Sequence, residues 1–172
     1  MPTPTNWSNQ VHSILREQNI RQIAYVPDTG LKRLIELVRA DKQMRAVPLT
    51  TEEEGIALAT GAWLAGERSA LFLQSSGVGN CINMLGMAIE CRIPLPMLVT
   101  MRGQWGEFNP WQLPMAQATE PVLSAMGVIV QPVSDVDDVA ATFAAAGRMA
   151  FNTNRVVAVQ VAQRVVGTKE FK

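Results

Sequence analysis

Short apolar runs alternate with longer stretches of helical spacing along nearly the whole chain. The runs at 22–26, 45–49, 70–73, 95–100, 128–131 and 156–161 are brief, end abruptly and read as continuous apolar segments, which predicts strands buried on both faces. Between them, apolar residues recur every three to four positions and predict helices over 7–18, 31–40, 52–65, 79–91, 115–125 and 135–151. Ser134 is the expected cap of the last helix, with acids behind it and Arg148 near its end. Such alternation builds an α/β fold: a three-layer α/β/α arrangement in which helices cover both faces of a six-stranded parallel sheet. No repeat, low-complexity segment or linker divides the sequence, so residues 1–172 are expected to form a single domain.

One helix breaks the usual amphipathic rule. Glu52, Glu53 and Glu54 open it, and no further charge appears before Glu67. Acids suit a helix N-terminus, where unpaired amides and the macrodipole favour negative charge, and Thr51 with Glu54 fits a capping box. Capping does not explain the rest of the helix. Glu52 shares a face with Ile56, Ala59 and Trp63, Glu53 with Ala57 and Leu64, and Glu54 with Leu58 and Gly61. A helix apolar all round is expected to be enclosed by protein. If Glu52 points into that enclosure, desolvation raises its pKa and lets it exchange a proton near neutral pH.

Composition narrows the function classes. Fifteen basic residues balance fifteen acidic ones with no long run of either sign, so no field draws in nucleic acid or an anionic membrane. No apolar run approaches the ~20 residues that span a bilayer, and the polar start 1–10 has neither a basic leader nor an apolar core; a cytoplasmic protein is expected. Cys81 and Cys91 lack metal-ligand spacing and are expected as buried free thiols. His12 stands alone, which excludes a histidine-based triad or metal cluster, and no metal ligands are assigned to this chain.

In a parallel sheet, ligands gather beyond the carboxyl ends of the strands. The loops there carry Pro27-Asp28-Thr29-Gly30, then Thr50 to Glu54, then Gln74-Ser75-Ser76-Gly77-Val78-Gly79-Asn80, and finally a long segment from Met101 to Trp111. The third loop fits either a tight turn or an anion cradle built from backbone amides; it lacks a P-loop lysine and the full dinucleotide glycine spacing. The fourth, with Trp105, Phe108 and Trp111 around Arg102, has the character of a ligand lid or a subunit interface. Its guanidinium is suited to a carboxylate or sulfonate.

Three groups of residues together resemble the pyrimidine-binding domain of thiamine diphosphate enzymes. They are Thr51-Glu52-Glu53-Glu54-Gly55-Ile56-Ala57 with Gly61 and Leu64-Ala65-Gly66; Leu73 to Asn80 with Asn83; and Arg102-Gly103 with Pro114-Met115-Ala116-Gln117-Ala118-Thr119. The likeness, from about Val11 to Ala162, is strongest to the sulfopyruvate decarboxylase alpha-subunit family, with phosphonopyruvate decarboxylases as relatives.

The resemblance makes Glu52, nine residues before Gly61, the catalytic glutamate that hydrogen-bonds the cofactor's aminopyrimidine and relays a proton. It implies a carbon–carbon lyase, a 2-oxo acid decarboxylase, with Gln74, Ser75, Gly77 and Asn80 binding thiamine diphosphate. Asp28, Thr29 and Arg102 are implied as substrate contacts. The Gly-Asp-Gly magnesium segment of such enzymes is missing from this sequence. A separate beta subunit carrying the diphosphate-binding domain and Mg2+ is therefore expected, in a hetero-oligomer. Small residues Ala57, Ala59, Gly61 and Ala62 would let its backbone approach. Two features depart from the sulfopyruvate pattern: Asp28 would repel a doubly charged substrate, and aromatic residues crowd the fourth loop, which leaves an apolar or aromatic 2-oxo acid open. Acyl transfer, carboligation and a non-catalytic assembly role are the competing readings.

Overall fold

Residues 6–168 are described by the computed structural model of the chain. Met1 to Thr5, half of the polar start considered above, and residues 169–172 lie outside the described residues. Six strands, β1 (Ile20–Tyr25), β2 (Arg45–Pro48), β3 (Arg68–Gln74), β4 (Leu95–Thr100), β5 (Ile129–Val133) and β6 (Val156–Val161), stand in the order β2-β1-β3-β4-β6-β5. Every neighbouring pair is parallel. The helices are α1 (Asn6–Glu17), α2 (Lys32–Ala40), α3 (Glu53–Leu64), α4 (Val78–Glu90), α5 (Gln112–Ala125), α6 (Val139–Thr153) and the short α7 (Gln163–Val166). Among the described residues no helix is long and apolar enough to cross a membrane.

Period-two alternation divides the strands between two cores. Ile23, Phe72, Leu98, Val157 and Val159 face α1, α2 and α6, where Phe72 meets Phe143 edge-on at 6.2 Å. Ala24, Leu71, Leu73, Met97, Val99 and Ala158 face α3, α4 and α5. Central β4 and β6 are buried at every position, which is why they read as unbroken apolar runs; the edge strand β2 has no buried position. β1 is followed by a helix on one face and β3 by a helix on the other, so a crevice opens beyond their carboxyl ends.

The differences from expectation have local causes. β5 runs through Pro132, because an edge strand pairs on one side and can spare that amide. α5 begins at Gln112, since Pro114 falls in a first turn whose amides have no helical acceptor. Asp135 replaces Ser134 as the cap before α6: its carboxylate accepts from the Asp137 amide at 3.0 Å and opens a 3-10 turn, Val136–Asp138. Arg148 falls short of the last turn of α6, which is closed by Asn154 in the left-handed region. Of the two thiols only Cys81 is buried; Cys91 is exposed at the C-cap of α4. His12 has a partner, Asp41, at 2.9 Å.

α3 corrects a larger expectation. Ile56, Ala59 and Ala62 are buried against the rest of the chain, but Ala57, Gly61 and Leu64 are exposed, Leu64 by 78%. This chain alone does not enclose the helix. The small residues of the outer stripe are Ala57 and Gly61, not Ala59 and Ala62.

On its inner side, α3 sits so close to the sheet that a Cβ at Gly55 would lie 2.5 Å from Leu71 Cδ1 and 2.9 Å from Leu49 Cδ1. At Gly61 nothing lies within 4 Å. The same substitution should therefore change sign along one helix. Gly61→Ala is expected to stabilise the chain by up to about 1 kcal/mol through helix propensity. Gly55→Ala, which overpacks a closed contact, is expected to cost about 1–3 kcal/mol. Urea denaturation of the two variants reads both signs.

Candidate functional site

The three acids that open α3 have three different surroundings. Glu54 turns back and accepts from the backbone amides of Thr50 at 2.9 Å and Thr51 at 3.4 Å, which is half of a capping box; the Thr51 hydroxyl makes no capping bond. Glu53 is exposed. Glu52 alone points inward and is 8% exposed. Its Oε2 accepts from Asn80 Nδ2 at 2.8 Å, and its carboxyl lies directly over Gly77, where a Cβ would collide with it. Glycine at 77 is required because the carboxyl occupies the space that a side chain would need.

This arrangement follows from the topology. The loop after β2 delivers the start of α3 to the carboxyl edge of the sheet, and close packing at Gly55 lowers it against the 3-10 turn Ser75–Gly77 that follows β3. A buried carboxyl needs hydrogen-bonding compensation, which Asn80 supplies, and the N-terminus of α3 favours negative charge. One turn of α4 below, burial and then the Glu52 and Glu53 charges push the Cys81 thiol up to about 12. Cys81 is inert as a nucleophile at neutral pH.

Gln74, Ser75, Gly77 and Asn80 therefore separate into two pairs. Gly77 and Asn80 adjoin Glu52. Gln74 and Ser75 grip the fourth loop: Gln74 Nε2 donates to Ser76 Oγ at 2.6 Å and to Gln112 Oε1 at 3.2 Å, while buried Ser75 Oγ accepts from the Arg102 amide at 3.1 Å. Asp28 and Thr29 line a cleft of ≈430 Å³ with Lys32, Arg39 and Gln74, at the crevice beyond β1 and β3. Asp28 is itself engaged: its Oδ2 accepts from Thr100 Oγ1 at 2.8 Å and from the Gly30 amide at 3.1 Å.

Arg102 is held by a partner from its own loop. Its Nε and Nη2 each donate to a Glu107 oxygen at 2.6 Å, with the two side chains only 7% and 2% exposed. Glu107 also accepts from the amides of Gly103 and Asn109 and from Gln163 Nε2. Gln163 Oε1 in turn accepts from the amides of Gln104 and Trp105. The Arg102 hydrogen bonds, ahead of the opposing burial, hold the Glu107 carboxyl down at about 2. The same pairing raises the Arg102 pKa. Sequence reasoning missed Glu107 and Gln163. The acid five residues after Arg102 was a readable signal; Gln163, 56 residues from Glu107, offered none. The pair holds the loop rigid while Trp105, Phe108 and Trp111 remain exposed on its rim.

Residues 5–108 match the family described as thiamine pyrophosphate enzyme, N-terminal TPP binding domain. The sulfopyruvate decarboxylase subunit alpha of Methanothermobacter thermautotrophicus is 37% identical over 122 residues, covering 70% of this chain and 74% of that one. The corresponding subunit of Methanococcus maripaludis is 34% identical over 124 residues, covering 72% and 74%. A 2-oxoglutarate:ferredoxin oxidoreductase from Magnetococcus marinus superposes on 93% of this chain and 29% of its own with a TM-score of 0.72 at 18% identity, a likeness of fold alone.

The ion pair sets a pH dependence. Because the Glu107 pKa falls from 4.5 to about 2 on folding, its contribution is complete above the unfolded value and is lost as pH drops through the folded one. Glu107→Gln, which strands a buried guanidinium, is expected to cost about 3–5 kcal/mol at neutral pH. The gap between wild type and variant should be flat above about pH 5 and narrow from 4.5 towards 2, as read by denaturant titrations across that range.

Proposed function

The chain belongs to the thiamine pyrophosphate enzymes through their N-terminal TPP binding domain, and from that membership we propose that it is the alpha subunit of a thiamine diphosphate-dependent 2-oxo acid decarboxylase. The observation that carries the reading is the inward Glu52 carboxyl, fixed by Asn80 above a glycine at the carboxyl edge of the sheet. The donor set suits an aminopyrimidine edge: a carboxyl with one oxygen held by Asn80, next to a residue without a side chain. With the cofactor bound, Glu52 would be the residue to hold and move a proton at its carboxyl, while Asn80 orients that carboxyl and Gly77 leaves room for it. Ile56 and Ala59, buried on the same face of α3, keep water from competing for that proton. When bound, thiamine diphosphate supplies the electron sink that accepts the pair left when carbon dioxide departs. Gln74 and Ser75 link this turn to the Arg102–Glu107 loop, so that loop and cofactor site form one rigid unit.

The substrate is a 2-oxo acid that enters between the Asp28–Thr29 loop and the aromatic rim. The Arg102 guanidinium, already engaged by Glu107, acts on it through the loop it fixes rather than as a free anion clamp. A beta subunit supplies the diphosphate and Mg2+ site, in a hetero-oligomer. Support for that partner comes from the alpha-subunit names of the relatives and from the exposed apolar stripe of Ala57, Gly61 and Leu64.

The test uses the complex co-purified with its partner chain and loaded with thiamine diphosphate and Mg2+. Glu52→Gln should slow deuterium exchange at the cofactor's thiazolium carbon, followed by NMR, by roughly 10²–10⁴-fold. Unchanged exchange would reduce the chain to an assembly module. Release of a free aldehyde identifies simple decarboxylation; transfer of the acyl group would overturn it.

A further inference from the structure

Glu107 takes most of its hydrogen bonds from its own loop, from Arg102, Gly103 and Asn109. Among the described residues one donor comes from elsewhere, Gln163 Nε2 at 2.8 Å. Gln163 is the first residue of α7 and is fully buried. Its Oε1 accepts from the amides of Gln104 at 2.8 Å and Trp105 at 3.0 Å, and its own amide donates to Gln104 Oε1 at 3.0 Å. The position thus asks one side chain for a donor and a double acceptor. A primary amide of that reach offers both; a carboxylate has no donor and an aliphatic chain has neither.

α7 and the residues after it also touch both walls of the entrance to the site. A hollow of ≈40 Å³ lies between Asp28, Gly30 and Arg102 on one side and Val166 and Thr168 on the other. A Cβ at Gly30 would lie 3.3 Å from Val166 Cβ, and one at Gly106 would lie 2.9 Å from Thr168 Cγ2. A segment distant in sequence therefore spans the loop after β1 and the loop after β4.

We propose that Gln163 is a positioning residue for the candidate site: it seats the loop that carries Arg102, Trp105 and Phe108, and so sets the substrate entrance. The proposal rests on the reading that a 2-oxo acid enters between that loop and Asp28–Thr29. Gln163 hydrogen-bonds neither Glu52 nor Asn80, so its effect falls on substrate capture more than on cofactor activation.

The pH dependence of Gln163→Glu, set beside Gln163→Leu, tests this. A carboxylate at 163 would lie against Glu107, with Arg102 already engaged by Glu107, Asp28 across the hollow and Arg164 next on α7. Charged, it repels Glu107 and cannot donate to it; protonated, it restores the donor and the double acceptor. In the ¹⁵N-labelled full chain, the Trp105 amide of Gln163→Glu should give the wild-type heteronuclear NOE at about pH 5 and a lowered one at about pH 7.5, while Gln163→Leu stays low at both. In the holoenzyme co-purified with its partner chain, with pyruvate and phenylpyruvate as probes, KM of Gln163→Glu should exceed the wild-type value about tenfold at about pH 7.5 and approach it at about pH 5. Deuterium exchange at the thiazolium carbon should stay within about threefold of wild type at each pH. Loop order that does not recover on acidification, or a wild-type KM in both variants, would overturn the proposal. A wild-type complex without thiazolium exchange would instead remove the decarboxylase reading beneath it. If neither probe is turned over, the Trp105 amide decides; if Gln163→Glu fails to fold, Gln163→Asn, too short to reach Glu107, replaces it with the split between KM and exchange as its readout.

Discussion

The arrangement of the carboxyl edge depends on the placement of one carboxyl group over one glycine. Glu52 stands at the start of a helix whose amides favour negative charge, yet its side chain is turned away from water and held by Asn80. That position requires three things together: α3 must reach the sheet through Gly55, Gly77 must have no side chain, and α4 must begin where Asn80 can reach across. Each requirement comes from a different part of the chain. A parallel sheet meets them all, because the loops after β2 and β3 emerge at the same edge.

A second polar centre gives that edge its rigidity. A buried ion pair is a poor source of net stability, since desolvation offsets most of the attraction, but it specifies geometry well. Arg102 and Glu107 close the loop on itself, Gln163 pins it to the end of β6, and Gln74 and Ser75 join it to the turn beneath Glu52. The exposed aromatic residues on the rim are therefore presented on a fixed frame, at little entropic cost to whatever they meet.

The outer face of α3 marks where the chain's own packing stops. A helix with Leu64 and Ala57 facing solvent keeps its apolar outer stripe uncovered in the single chain. The relatives are named as alpha subunits, and a second chain over this face would complete the enclosure of the helix.

The α/β alternation and the bounds of β4 and β6 were legible in the sequence, because burial on both faces writes a continuous apolar run; the missing polar stripe of α3 was legible too, but it marks a face this chain leaves open, not enclosure. The structure alone decided how the polar side chains were distributed. Three consecutive glutamates look alike in sequence, yet one caps, one is solvated and one is buried, since 100° of helical rotation separates neighbours. Arg102 read as a free cation because its engagement depends on loop closure and on Gln163, which arrives from beyond β6. The apolar run reads as ending before Pro132, whereas an edge strand can spare the hydrogen bond that proline removes. Local pattern records how much of an element is buried; only the three-dimensional meeting of distant loops records which polar atoms find one another.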